Sequence, residues 1–253
     1  MWIGYTVTSA VTETFVIGLD DTDTPDGGGT GPLARALAAA VEAESFGTSL
    51  GVTRHRLLDS PKIDKTTRNT ALAVAIATER SLDDVEDYVV AFVRKAVERG
   101  SDAGVVVLSR HSDMPHVLAF GRRCQQEVMT LADQETFATE GNVRSRSLGN
   151  KRAGTIGALA AAGLRAGGKD GHYIDLAGLA DVKGRTLAGQ IRTNTAIEKV
   201  LDEALDEELD RDDAVDCGEG LWPRVVLGEP VLLTRRSEED RKLWIPIDHD
   251  IDP

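Results

Sequence analysis

Three carboxylates in four positions, Asp20, Asp21 and Asp23, follow directly on an apolar run, Phe15-Val-Ile-Gly-Leu19. Such a run bounded by turn residues reads as a short buried strand. Acidic side chains packed this closely repel one another unless a positive group sits among them. Mg²⁺ answers that need, because it takes one or two carboxylates and completes its shell with water and phosphate oxygens. Gly27, Gly28 and Gly29 come next and permit positive φ and close backbone approach. Thr30 follows, and Pro32 sits where the first turn of a helix tolerates it. An alanine-rich helix is expected from Leu33 to Glu44. A strand, an acidic turn, a glycine loop and a helix N-terminus together make a candidate metal–phosphate site. The plainer alternative is that the aspartates form turns and caps.

Downstream, Ser45 to Leu58 carries strand-like pieces that include Arg54, His55 and Arg56. A basic polar loop, 59–69, leads to the apolar strand Thr70 to Ala77. Ser81-Leu-Asp-Asp84 is a capping box opening a helix to about Arg99, with Gly100 as its stop. Gly104 to Ser109 is a further buried strand, so 70–109 has the size of a βαβ unit. Met114 to Leu131 is expected to be helical, in two pieces broken near Gly121. Gly149 to Gly163 runs a basic glycine turn into a small-residue helix. Beyond it, the stripe Ile197, Val200, Leu201, Ala204, Leu205 and Leu209 predicts a helix from Thr193 or Asn194 to about Asp210. Short strands are expected at 224–227, 230–234 and 243–247.

The 253 residues suffice for one large or two modest domains with a real core, and 41% hydrophobic with 28% charged residues is ordinary for a globular chain. Lys plus Arg number 29 against 42 Asp plus Glu, a net charge of −13. That balance excludes nucleic-acid binding through the overall field and leaves only a local basic groove. The two cysteines, Cys124 and Cys217, lie far apart, which excludes a four-cysteine zinc ribbon and fits a reducing compartment. With no secretory signal and no run of the ~18 apolar residues of a membrane span, a cytoplasmic protein with no membrane partner is expected.

Two further stretches bear on phosphate. Lys151 and Arg152 precede a helix starting near Gly154, whose first N–H groups would add to their charge. The Gly149-to-Gly154 spacing echoes a Walker A loop, but Thr155-Ile156 stands where Lys-Ser/Thr is required. An exposed basic turn is the competing reading. Lys62, Lys65 and Arg68, with Thr66, Thr67 and Asn69, are suited to a triphosphate, or equally to a solvated loop. His111 and His116 would not share a helix face, and no G-x-S-x-G supports a serine nucleophile.

Taken in order, GLDDTDTPDGGGTG (18–31), KTTRN (65–69) and GTIGALAAAGL (154–164) resemble the archaeal agmatinylcytidine synthetase family, which modifies the wobble cytidine of an isoleucine tRNA. The resemblance covers about residues 15–165. It implies an α/β (α+β) fold: a kinase-like ATP-site domain from 14–70 with 145–253, and an inserted ferredoxin-like domain at 71–144. It also implies ATP and Mg²⁺ as cofactors. The acidic cluster Asp20, Asp21 and Asp23 would take metal. Asp20 and Asp21, Thr30 at the family's reactive threonine and Lys65 at its loop lysine would form the catalytic group. Gly28, Gly29, Thr30, Lys65, Arg68, Asn69, Lys151, Arg152 and Gly154 would line the nucleotide. This chain departs from the family where Thr30 is flanked by glycines rather than lying in a Cys-Thr-Thr run. It also lacks the cysteines of the family's tRNA-gripping zinc ribbon. Three functions stay open: a stand-alone ATP-dependent activating enzyme with an unknown acceptor, a tRNA modifier working with an RNA-binding partner, and a nucleotide-binding module without turnover.

Overall fold

A computed structural model describes residues 11–22, 29–63, 69–97 and 100–247. The first unit runs β1 (Glu13–Asp20), α1 (Thr30–Ala43), β2 (Thr48–Arg56), β3 (Thr70–Thr78), α2 (Leu82–Ala96) and β4 (Gly104–Leu108). Its strands lie in the order β4-β1-β3-β2, each antiparallel to its neighbour. Strands β1 and β2 therefore run parallel with β3 between them, and β3 and β4 run parallel with β1 between them. Two such split βαβ turns make the βαββαβ arrangement of ferredoxin-like folds. The division of 71–144 from 14–70 with 145–253 cuts across this unit, because β1 is hydrogen-bonded on both edges to strands of the other segment.

Alternation along β1 explains the layering. Phe15, Ile17 and Leu19 face α1 and α2, where they meet Leu37, Val41, Val85, Val89 and Val93. Val16 turns to the opposite face, with Ala71, Ala73, Val106 and Leu108. That second face is covered by α3 (Met114–Cys124), α4 (Leu131–Glu140) and α5 (Gly154–Ala166), while β5 (Arg144–Ser147) extends the sheet beyond β4. Each large aliphatic side chain buried in these layers contributes about 1.5–3 kcal/mol. Small residues let α5 lie directly on the sheet: any side-chain carbon at Gly18 would overlap the carbonyl of Ala158.

The remaining chain forms a third core around Tyr173, Ile191, Ile197, Val200, Val215, Leu232 and Trp244. It comprises β6 (His172–Asp175), β7 (Arg185–Leu187), α6 (Ala188–Asn194), β8 (Lys199–Asp202), β9 (Glu207–Glu208), β10 (Ala214–Asp216), β11 (Arg224–Val226), β12 (Glu229–Arg236) and β13 (Leu243–Pro246). Strand β6 joins it to the first sheet, pairing β2 on one edge and β11 on the other.

Two expected elements differ. The helix from 193 or 194 to 210 does not exist: α6 ends where it was to begin, and Val200 and Leu201 lie in β8, parallel to Leu232 and Leu233 of β12. Gly121 does not break a helix either. It lies inside α3 at the crossing with α5, where a side-chain carbon would come 2.8 Å from the Ala160 carbonyl. Helix α2 begins with the expected capping box, Ser81 with Asp84. The three C-terminal strands also form.

Candidate nucleotide site

One rim of the sheet gathers the chemistry-bearing stretches. The register sets Asp20 opposite Gly104, Gly104 opposite Ser147, and Arg56 opposite Thr70. The end of β1, the start of β3, the start of β4 and the end of β5 therefore share this rim, with the first turns of α1 and α5 beside them.

Asp20 and Asp21 are both half-buried. Asp20 faces α5 so closely that any side-chain carbon at Gly157 would overlap its Oδ2. A side-chain carbon at Gly154 would come 3.0 Å from the Asp20 carbonyl oxygen and 2.7 Å from the Gly104 amide nitrogen. Asp21 has φ 50°, a left-handed conformation that Asp and Asn adopt more readily than other side chains. Among the described residues, no group of three or more His, Cys, Asp or Glu side chains converges as a metal cage. The donor set here is of another kind, two adjacent carboxylates, which suits a cation that completes its shell with phosphate and water.

On the opposite face, α1 begins at Thr30 after Gly29, with φ 81° and no side-chain cap, and no acidic residue lies in its first turn. The orphan N–H groups of that turn and the helix dipole favour an anion. Arg35 and Arg54 flank this start, each placing Nη2 3.9 Å from where a side-chain carbon on Gly31 would sit. Burial, then the neighbouring charge of Arg35, holds the Arg54 guanidinium below its ordinary pKa. Sequence reasoning did not select these two cations. Arg54 is distant from Thr30 in the chain, and only the split βαβ topology brings the end of β2 to the start of α1, where Arg35 of the helix meets it.

The turn before α5 differs from expectation. Its N–H groups do not face open space, because the Asp102 carboxylate takes all three of Lys151 (2.8 Å), Arg152 (3.0 Å) and Ala153 (2.6 Å). Arg152 pairs with Glu135 at 2.7 Å. Asn69 donates its amide N–H to the Leu58 carbonyl at 2.8 Å. Asp23, Gly28, Lys65 and Arg68 themselves lie outside the described residues. Cys124 and Cys217 are buried thiols, pushed up to about 12 and about 11 by burial, so neither supplies a thiolate.

The fold is thus a mixed α/β one, with its candidate site at a sheet rim between two helix N-termini. No family model and no curated protein matches the chain. Solved structures do match. The complex of TiaS, an agmatidine synthetase acting on an isoleucine tRNA, with that tRNA and ATP has a TM-score of 0.53 at 24% identity, over 60% of this chain and 36% of that one. A tRNA fluorescent-labelling enzyme matches at 0.53 and 24%, over 59% and 36%. The TiaS complex with the same tRNA, AMPCPP and agmatine matches at 0.52 and 22%, over 59% and 36%. At these identities the likeness is one of fold, and the matched part is about a third of those enzymes.

Proposed function

We propose that this protein is a Mg²⁺-dependent enzyme that uses ATP to activate an acceptor by phosphoryl transfer. The observation that carries this reading is the rim itself: two adjacent carboxylates lie at the end of β1, between an uncapped helix start and the closely packed start of α5. Phosphoryl transfer is catalysed mainly by positioning and charge neutralisation, which these groups can supply. Asp20 and Asp21, joined by Asp23, would hold Mg²⁺, which when bound neutralises phosphate oxygens. The first turn of α1, from Gly29 and Thr30, would receive phosphate through its N–H groups. Arg35, from α1 itself, and Arg54, from β2, would add charge. Lys65, Arg68 and Lys151 would supply further positive charge to the nucleotide, while Arg152 and Gly154 set the α5 side. The likeness in fold to structures holding ATP or AMPCPP with an isoleucine tRNA favours one second reading, in which the acceptor is a tRNA presented by a partner protein.

The test is Asp21→Asn. Asn tolerates the left-handed backbone at 21 and caps turns nearly as well as Asp, so the fold should hold, and relief of carboxylate repulsion should leave metal-free stability equal or higher. Mg²⁺-dependent ATP binding should be abolished. Calorimetric titration with and without Mg²⁺ measures this, and unchanged affinity in the variant would defeat the metal-site reading.

A further inference from the structure

Asp102 lies between α2 and β4, outside every stretch that resembles a known motif, yet it organises the α5 side of the rim. One carboxylate receives three consecutive backbone N–H groups at 2.6–3.0 Å, with Oδ1 taking Lys151 and Arg152 and Oδ2 taking Ala153. Successive N–H groups converging on one anion form a nest. Here the anion is built in, so these three donors are not available to a phosphate. Arg152 is held at φ 67°, a left-handed conformation that a non-glycine residue keeps where its surroundings over-determine it. Packing tightens the arrangement: a side-chain carbon at Gly149 would overlap Asp102 Oδ1, and one at Gly154 would overlap the Asp102 carbonyl. Gly154 in turn abuts Gly104 and the Asp20 carbonyl, and Gly157 abuts the Asp20 carboxylate. An unbroken line of contacts therefore runs from Asp102 through the 149–154 turn to Asp20.

We propose that Asp102 is a positioning residue of the nucleotide site: its carboxylate locks the turn before α5, and through Gly154 and Gly157 this sets the Asp20 carboxylate for metal and nucleotide. This rests on the function proposed above and deepens it, assigning the turn a supporting role in place of direct phosphate contact. The charge matters as well as the shape. In Asp102→Asn the side-chain oxygen can still accept from Lys151 and Arg152, but the amide nitrogen meets the Ala153 N–H donor to donor.

The experiment compares wild type, Asp102→Ala, Asp102→Asn and Gly149→Ala. Thermal unfolding identifies temperatures at which each is folded, and two quantities are read there: amide exchange at 151–153 and Mg²⁺-dependent ATP affinity by calorimetry. Asp102→Ala and Gly149→Ala should each lose protection at 151–153 and bind ATP about 10–100-fold more weakly, the usual range for loss of a supporting partner, with Asp102→Asn between them and wild type. A turn that serves stability alone would lower the unfolding temperature and leave affinity unmoved in the folded protein. Wild-type affinity in both Asp102→Ala and Gly149→Ala, or unchanged protection at 151–153, overturns the inference while ATP binding by wild type stands. A wild type that binds no ATP defeats the functional reading first, and the inference with it.

Discussion

His55 is wholly buried, with Nδ1 2.7 Å from Asp170 Oδ1 and Nε2 2.8 Å from Thr53 Oγ1. Asp170 also accepts from Gln125 at 2.9 Å. A neutral imidazole donates from Nδ1 to the carboxylate and accepts at Nε2 from the Thr53 hydroxyl, whose other acceptor, the Ala73 carbonyl, lies farther off at 3.4 Å. Burial lowers the pKa of His55, against the hydrogen bond and charge of Asp170, which raise it. For Asp170, burial raises the pKa, but the His55 and Gln125 hydrogen bonds outweigh it and the carboxyl stays below its usual range. The signs then give two windows. Unfolded histidine titrates near ~6.5, so below that pH the unfolded chain binds the extra proton and stability falls, at up to ~1.4 kcal/mol per pH unit, until the folded pKa is passed. The Asp170 contribution is present above the usual carboxylate range and is lost only at lower pH. Thermal unfolding should therefore show a declining midpoint as pH drops below about 6.5, and His55→Gln should flatten that decline. An equal slope in the variant would rule out His55 as its source.

At the level of elements, α5 was legible because its message is local. Glycine and alanine at 154–163 announce a helix that must approach something closely, and the sheet is what it approaches. Gly157→Ala tests that close approach. Alanine is the better helix former, so propensity alone predicts a gain of up to about 1 kcal/mol. The new methyl group would overlap Asp20 Oδ2, so the carboxylate must turn away. Unfolding should show a net stability change within about 1–3 kcal/mol of wild type, the overpacking range, while Mg²⁺-dependent ATP affinity falls. Retained affinity would show that the orientation of Asp20 is not needed. The 193–210 stretch misled because its apolar spacing fits a helix and yet serves strands. Ile197, Val200 and Leu209 are buried in the third core while Leu205 is 65% exposed, and the pairing of β8 with β12 outweighs local propensity.

For the whole molecule, charge is the governing quantity. A chain at −13 has no net field to attract phosphate backbones, so the cations at the rim act only over short distances. RNA affinity of the chain alone should be weak, with Kd about 10⁻⁴–10⁻⁶ M at physiological salt, the non-specific range. Titration of an isoleucine tRNA against an unrelated tRNA measures this. A tight and selective complex would favour the tRNA reading without any partner protein.

The residues by themselves determined the local chemistry: an apolar run ending in Asp20 and Asp21, a glycine-led start to α1, the Ser81–Asp84 cap, the small-residue helix α5. Each depends on neighbours within a few positions, where propensity, capping and burial period act directly. Tertiary structure decided which of those pieces meet. Strand β1 lies between β3 and β4 because β3-α2-β4 leaves a gap one strand wide, and that insertion brings Asp20 to Gly104 and so to α5. Arg54 reaches the start of α1 by the same topology. Asp102 meets residues 151–153 across 49 to 51 positions of chain, a separation at which no periodicity survives. The carboxylate that fills the nest was invisible for that reason: a single aspartate in a loop carries no pattern, and only the folded register gives it three donors.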